Sequence, residues 1–260
     1  MSMVMEKTAD RSRFKGISAE EARIRRDLAA CDRLIALYGW DDIVATHVSA
    51  RLPDEDGKAC FLINPFGLTF EEITASSLIK VAMDGEILQD TPYSVNRAGY
   101  VVHSAVLGAR PDVGCVIHLH SVDGVAVSAT ERGLLPLNQA AMTIADHVAF
   151  HEYEGFATED EERARIIADL GDKPLMFLRN HGTIAAGSNV GHAFAMCFQF
   201  ERACTVQVKT LGMGLALHDA DPKVIAKTSA MVSTLDRFAS EMVWPAMLRK
   251  LDRISPGYAD

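Results

Sequence analysis

The run Cys115-Val116-Ile117-His118-Leu119-His120-Ser121 constrains the chain more than any other stretch. It is apolar, it reads as a buried strand, and it ends in two histidines two positions apart. A strand turns alternate side chains to the same face, so His118 and His120 would stand side by side at the strand's end. Paired imidazoles suit a divalent transition metal. An isolated pair of this kind is more often one packed and one turn-capping histidine, so the reading needs support from elsewhere in the chain.

Leu175-Met176-Phe177-Leu178 supplies that support. It reads as a second strand, and Arg179-Asn180-His181-Gly182 follows it directly before another apolar run. Gly182 is expected to permit a sharp turn after the strand, leaving His181 at a strand end. His118, His120 and His181 are therefore candidates for a metal triad. Three protein ligands with one open position mark a catalytic site, because structural zinc is usually closed by four. His192 and His218 lie in or after a helical stretch. His47, His103, His147 and His151 are scattered and read as polar or supporting residues.

A chain of 260 residues with 48% apolar residues can bury a substantial core. The net charge of −9, without basic blocks, argues against nucleic acid or an anionic membrane as partner. Five cysteines form no CxxC pair and read as reduced thiols of a cytoplasmic protein. No apolar run reaches bilayer length, and Met1 to Gly16 lacks the apolar centre of a secretion signal.

Ser18 with Glu20 and Glu21 predicts a helix start, and apolar spacing continues to about Leu37 before Gly39. Strands are expected over Val44–Arg51, Cys60–Asn64 and Leu78–Met83, with Ile87–Leu88 returning and a short helix from Thr74 to Ser77. Helices are expected over Asn96–Arg110, Val122–Ser128, Glu159–Leu170 and Ala193–Gly212. Strand candidates lie near Met142 and Val148, and one or two helices within Pro222–Leu251. This order predicts an α/β fold: a largely antiparallel sheet covered on both faces by helices, in one domain over 18–260 after a flexible tail over 1–17.

Several ordered motifs then converge on a family. They are Thr46-His47-Val48-Ser49-Ala50-Arg51, Ile63-Asn64-Pro65-Phe66-Gly67-Leu68, the stretch from His103 through Arg110-Pro111-Asp112 to His120, Arg179-Asn180-His181-Gly182, and Glu201-Arg202-Ala203-Cys204. From about Ser18 to Gly214 the chain resembles the class II aldolase/adducin family, closer to its adducin-like branch than to the sugar-phosphate aldolases. The resemblance implies a three-layer αβα sandwich, a divalent metal on His118, His120 and His181, and a homotetramer with active sites at subunit contacts. Zinc is the foremost metal, with manganese, iron or cobalt as alternatives.

The departures from the family pattern bear on chemistry. Thr46, His47, Phe66, Arg97 and Ala98 stand where sugar-phosphate aldolases hold phosphate, and the acid/base glutamate position reads as Gly99. Retro-aldol cleavage needs a base for a hydroxyl proton, whereas decarboxylation does not. The expectation is a metal-dependent carbon–carbon lyase acting on a small oxo- or hydroxy-carboxylate through a stabilised enolate, with decarboxylation slightly ahead. The substrate residues would be His47, Asn64, Phe66, Gly67 and Arg97, with Tyr153 and Glu152 as candidates for proton transfer. Asp146, Glu152 or Glu154 could instead restore a base. Arg97 reads equally as a solvated helix-start cation, His47 more often as a hairpin polar residue, and Asn64 as a turn residue. Tyr153 reads at least as well as a packed interface residue. Alternative functions are an iron-dependent oxygenase on the same site and a non-catalytic adducin-like oligomer.

Overall fold

The computed structural model describes residues 16–54, 57–155 and 160–260. Of the tail expected over 1–17, all but Gly16 and Ile17 lies outside the described residues. Helix α1 (Ala19–Tyr38) starts where the Ser18 hydroxyl accepts from the Glu21 amide at 3.0 Å, and it stops at Gly39, whose φ of 69° is left-handed.

Seven strands form one sheet: β1 (His47–Arg51), β2 (Cys60–Ile63), β3 (Ile79–Ala82), β4 (Cys115–Leu119), β5 (Val148–His151), β6 (Leu175–Leu178) and β7 (Gly182–Gly187). Their order is β3-β2-β1-β4-β7-β6-β5, and only β5–β6 is parallel. Side chains alternate between two apolar clusters, one on each face. Cys60, Leu62, Cys115, Ile117, Leu175 and Phe177 join the cluster that holds Leu28 and Leu34 of α1 and Phe194 and Phe200 of α6 (Val190–Gly212). Phe61, Ile63, Val116 and Met176 join the cluster that holds Val102 and Val106 of α2 (Arg97–Ala109) and Leu170 of α5 (Asp160–Leu170). The result is the expected αβα layering with a largely antiparallel sheet.

Local hydrogen bonding overrides the expected pattern in several places. Thr74–Ser77 is a turn, because the Ser77 hydroxyl donates to the Thr74 carbonyl at 2.9 Å and accepts from its amide at 3.0 Å. A 3-10 turn over Phe70–Glu72 precedes it. Met142 lies in a helix, since Asn138 caps the amide of Ala141 at 3.1 Å and starts α4 (Gln139–Ile144); α3 (Val122–Ser128) lies ahead of it. The return at Ile87 is a single bridge to Val81. The C-terminal stretch breaks into α7 (Pro222–Ser229), α8 (Leu235–Phe238) and α9 (Trp244–Ile254). Thr228 and Thr234 donate back to the carbonyls of Val224 and Met231, at 2.8 and 2.7 Å, in the region where the α-helix gives way to 3-10 geometry. Among the described residues no helix is long and apolar enough to cross a membrane.

Candidate metal centre

Antiparallel pairing of β4 with β7 sets Leu119 opposite Thr183, bringing the end of one strand beside the start of the other. The turn into β7 differs from expectation in its cause. Asn180 carries the left-handed φ of 57°, a conformation asparagine tolerates. Gly182 is needed for a different reason: a Cβ there would stand 2.2 Å from the Leu119 carbonyl oxygen and 3.1 Å from Cδ2 of His120. The glycine allows the two strand ends to close on each other.

This closure gathers His118, His120 and His181. The His118 Nε2 lies 3.0 Å from the His120 Nε2, which lies 2.9 Å from the His181 Nε2. Among the described residues these three form the one group of His, Cys, Asp or Glu whose ligand atoms all fall within 4.8 Å of one another. The His118 Nδ1 is 3.0 Å from the Thr183 carbonyl oxygen, which can only accept. Nδ1 therefore carries the proton and Nε2 presents a lone pair. The His120 Nδ1 lies 3.0 Å from an Asp42 carboxylate oxygen and donates to it, so in the neutral ring Nε2 likewise turns its lone pair towards the group. With both rings neutral, two lone pairs face each other across 3.0 Å, a position that a cation would fill. Two nitrogens on one tetrahedral zinc at ~2.0–2.1 Å would stand about 3.3 Å apart, so the donor set fits a divalent metal. Burial disfavours protonation at two of the three: it holds His118 well below the usual imidazole range and lowers His181 to about 4, with neighbouring histidines adding to both shifts.

His47 belongs to this centre more closely than a scattered histidine would. β1 pairs with β4 so that His47 lies opposite His118, and their rings stack at 5.1 Å and 25°. The His47 ring also covers Gly99 in the first turn of α2. A Cβ at Gly99 would stand 2.7 Å from Cδ2 and 2.8 Å from Cγ of His47. The place for a side chain at position 99 is thus filled by an imidazole that burial keeps neutral. Behind it, His103 meets the His47 ring edge-on at 5.4 Å and bonds the Ser49 hydroxyl at 2.5 Å; burial lowers His103 to about 3.

The other expected substrate residues divide into two groups. Asn64 is buried and brackets His47: its Oδ1 accepts from the Val48 amide at 2.9 Å and its Nδ2 donates to the Thr46 carbonyl at 3.3 Å. Gly67 sits at a φ of 95° beside Phe66. Phe66 is exposed, and its amide donates to the Ser94 carbonyl at 2.8 Å, which sets it against the segment leading into α2. Arg97 opens α2, exposed, with its guanidinium 5.3 Å from the Tyr100 ring centre. The Tyr153 ring lies 6.2 Å from that of His181. Glu152 turns outward and pairs with Arg179 at 3.8 Å, while Glu154 pairs with Arg165.

Three residues that hold the triad were given no part in the site by the sequence reading, although Glu201 opens one of the motifs behind the family resemblance. Asp42 orients His120 from an exposed loop in which Ile43 takes a φ of 52°, unusual for a β-branched residue. Thr183 orients His118 through its carbonyl. Glu201 of α6 accepts from the Ser121 hydroxyl and, at 2.9 Å, from the Thr183 hydroxyl. An acid among Cys197, Phe200 and Cys204 on a buried helix face was the available signal for it.

Known proteins share this arrangement of strands and turns. The family model for the Class II Aldolase and Adducin N-terminal domain matches residues 26–208. An aldolase II superfamily protein from Pseudomonas syringae, known from its crystal structure, is 44% identical with a TM-score of 0.87, covering 97% of this chain and 100% of that one. Alpha-adducin of Mus musculus is 43% identical over 194 residues, which are 74% of this chain and 26% of adducin. The L-fuculose 1-phosphate aldolase of Glaciozyma antarctica is 26% identical with a TM-score of 0.79, covering 94% of this chain and 98% of its own. The chain belongs to the class II aldolase and adducin family.

Proposed function

We propose that this protein is a metal-dependent carbon–carbon lyase for a small oxo- or hydroxy-carboxylate, with decarboxylation ahead of retro-aldol cleavage. The observation that carries the choice is the His47 ring over Gly99, which fills the space where a carboxylate base on α2 would stand. Retro-aldol cleavage needs a group to take a hydroxyl proton; loss of carbon dioxide does not. A divalent metal on His118, His120 and His181, zinc foremost, would supply Lewis-acid polarisation of a substrate oxygen.

The chain's own residues supply the rest. Arg97 binds the substrate carboxylate by charge and paired N–H donors. Phe66 forms an apolar wall beside the entry to α2, and the neutral His47 limits the depth of the site above Gly99. As carbon dioxide leaves, the electron pair of the broken bond stays on the substrate carbon. The Tyr153 hydroxyl, on the His181 side, donates the proton that fills it. Sugar phosphates should be poor substrates, since Thr46 is fully buried and Phe66 offers no donor. Subunits assembled around this site, as a tetramer, belong to the same proposal.

The test is a screen of hydroxy and oxo acids with metal-loaded protein, following carbon dioxide and aldehyde separately. Carbon dioxide release that Arg97→Ala suppresses, and that Glu152→Gln and Glu154→Gln leave intact, is the expected result. Aldehyde release abolished by one amide change and untouched by Arg97→Ala would replace this reading with a relocated-base aldolase. The likeness to alpha-adducin supports a second reading, a non-catalytic interaction module. A loaded protein inert in the whole screen would favour it.

A further inference from the structure

Glu201 is a buried acid that the proposed chemistry does not use, and it sits where the centre's supporting strands meet. It is 1% exposed, on α6, and both its oxygens are occupied. One accepts from the hydroxyl of Ser121, the residue that follows His120 and caps α3 by accepting from the Gly124 amide at 3.2 Å. The other accepts at 2.9 Å from the hydroxyl of Thr183, two residues after His181. Thr183 is bonded twice over: its side chain reaches Glu201, and its carbonyl takes the His118 Nδ1 proton at 3.0 Å. Space around the carboxylate is tight, for a Cβ at Gly124 would stand 2.5 Å from the Ser121 Oγ and 3.3 Å from the Glu201 Oε2.

We infer that Glu201 is the positioning residue of this centre, fixing through Ser121 and Thr183 the separation of the two strand ends that carry the three imidazoles. The inference rests on the metal-binding reading above. Without the carboxylate, two buried hydroxyls lose their acceptor, and the end of β4 and the start of β7 lose their shared tether to α6. The imidazoles would then have to be brought into register by the ion itself, at the expense of affinity. Burial pushes the carboxyl up to about 7, opposed by the two hydroxyl bonds, so the group is held in place by those bonds despite an apolar setting.

The test measures zinc affinity by chelator competition alongside the unfolding temperature of the metal-free protein. Glu201→Ala should weaken zinc binding roughly 10–100-fold, the usual range for loss of a residue that orients a ligand. Glu201→Gln keeps the shape and one acceptor and should restore most of the affinity. Thr183→Val removes one tether while keeping the carbonyl that His118 uses; it should weaken binding, and it should add little once residue 201 is alanine. Thr183→Val also decides the matter if Glu201→Ala does not fold. Unchanged zinc affinity in Thr183→Val and Glu201→Ala, with only a lower unfolding temperature, would overturn the inference and leave Glu201 a structural acid. Failure of the unaltered protein to take up zinc would instead remove the metal reading, and this inference with it.

Discussion

The histidine end of the site and the end proposed for the substrate are built in different ways. At the histidine end, His118 is 1% exposed, it and His120 each have the second nitrogen bonded, and the backbones beneath approach too closely for any residue but glycine at 182. At the substrate end, Phe66 is 46% and Tyr153 53% exposed, and Arg97 lies along a tyrosine ring at the surface. The first end is preorganised, so an ion entering it need reorder little. The second is defined by side chains that can change without disturbing the sheet. A family that keeps the histidine end and varies the substrate end can change reactions on one scaffold.

Acid should break the histidine end first, and this is the largest effect expected. Burial lowers His103 to about 3 and His181 to about 4, and holds His47 and His118 well down. Below about 6.5 the unfolded chain binds protons that the folded chain refuses, so these groups cost stability as pH falls from about 6.5 towards about 3. Glu201 and Asp32 act in the opposite sense: burial raises Glu201 to about 7 and holds Asp32 well above the usual carboxylate range, so both favour the folded state as pH falls towards their unfolded values. Five lowered histidines, His192 included, against these two carboxyls set the net sign. Denaturant midpoints of the metal-free protein at pH 7, 6 and 5 should therefore decline; a flat series would mean the histidines are not held neutral.

A smaller effect separates packing from chemistry at the border between the two ends. Gly99→Ala drives a methyl group into the His47 ring and should cost about 1–3 kcal/mol of stability. His47→Ala in the same chain should relieve much of this, giving a clear coupling in the double-mutant cycle. Strict additivity in denaturant unfolding would show that His47 does not fill the space over Gly99.

The smallest effect concerns Asp42, the exposed support of a buried arrangement. Asp42→Asn should weaken zinc binding by about tenfold, near 1.4 kcal/mol, without changing the stability of the metal-free protein. Chelator competition reads this. An unchanged affinity would mean that the Thr183 and Glu201 side alone holds the triad.

How much of this was legible in the sequence follows from the range of each interaction. Strand alternation was enough to pair His118 with His120, and the Asn-His-Gly motif was enough to single out His181. The helix start at Ser18 and stop at Gly39 were legible because capping is local. Asp42 was not, because its contact with His120 joins an exposed loop to a strand end 78 residues further along the chain. The contact of His47 with Gly99 requires the β1–β4 register and the packing of α2 together, and these join residues far apart in the chain. Met142 was misread for a short-range reason: an apolar stretch of six residues fits a strand or a helix, and the cap by Asn138 decides for the helix. Gly182 was noticed for a turn it does not make, since the need for glycine comes from the neighbouring strand.

His118, His120 and His181 are expected to form one divalent-metal centre on a fold that does not depend on the ion. The decisive experiment counts metal per chain in protein purified without chelators, unaltered and as His120→Ala. About one divalent ion per chain is expected in the first. In the second, almost complete loss of metal is expected with the circular dichroism unchanged. Full occupancy in His120→Ala, or an unaltered protein that stays metal-free when offered zinc, manganese, iron(II) or cobalt, would contradict this expectation.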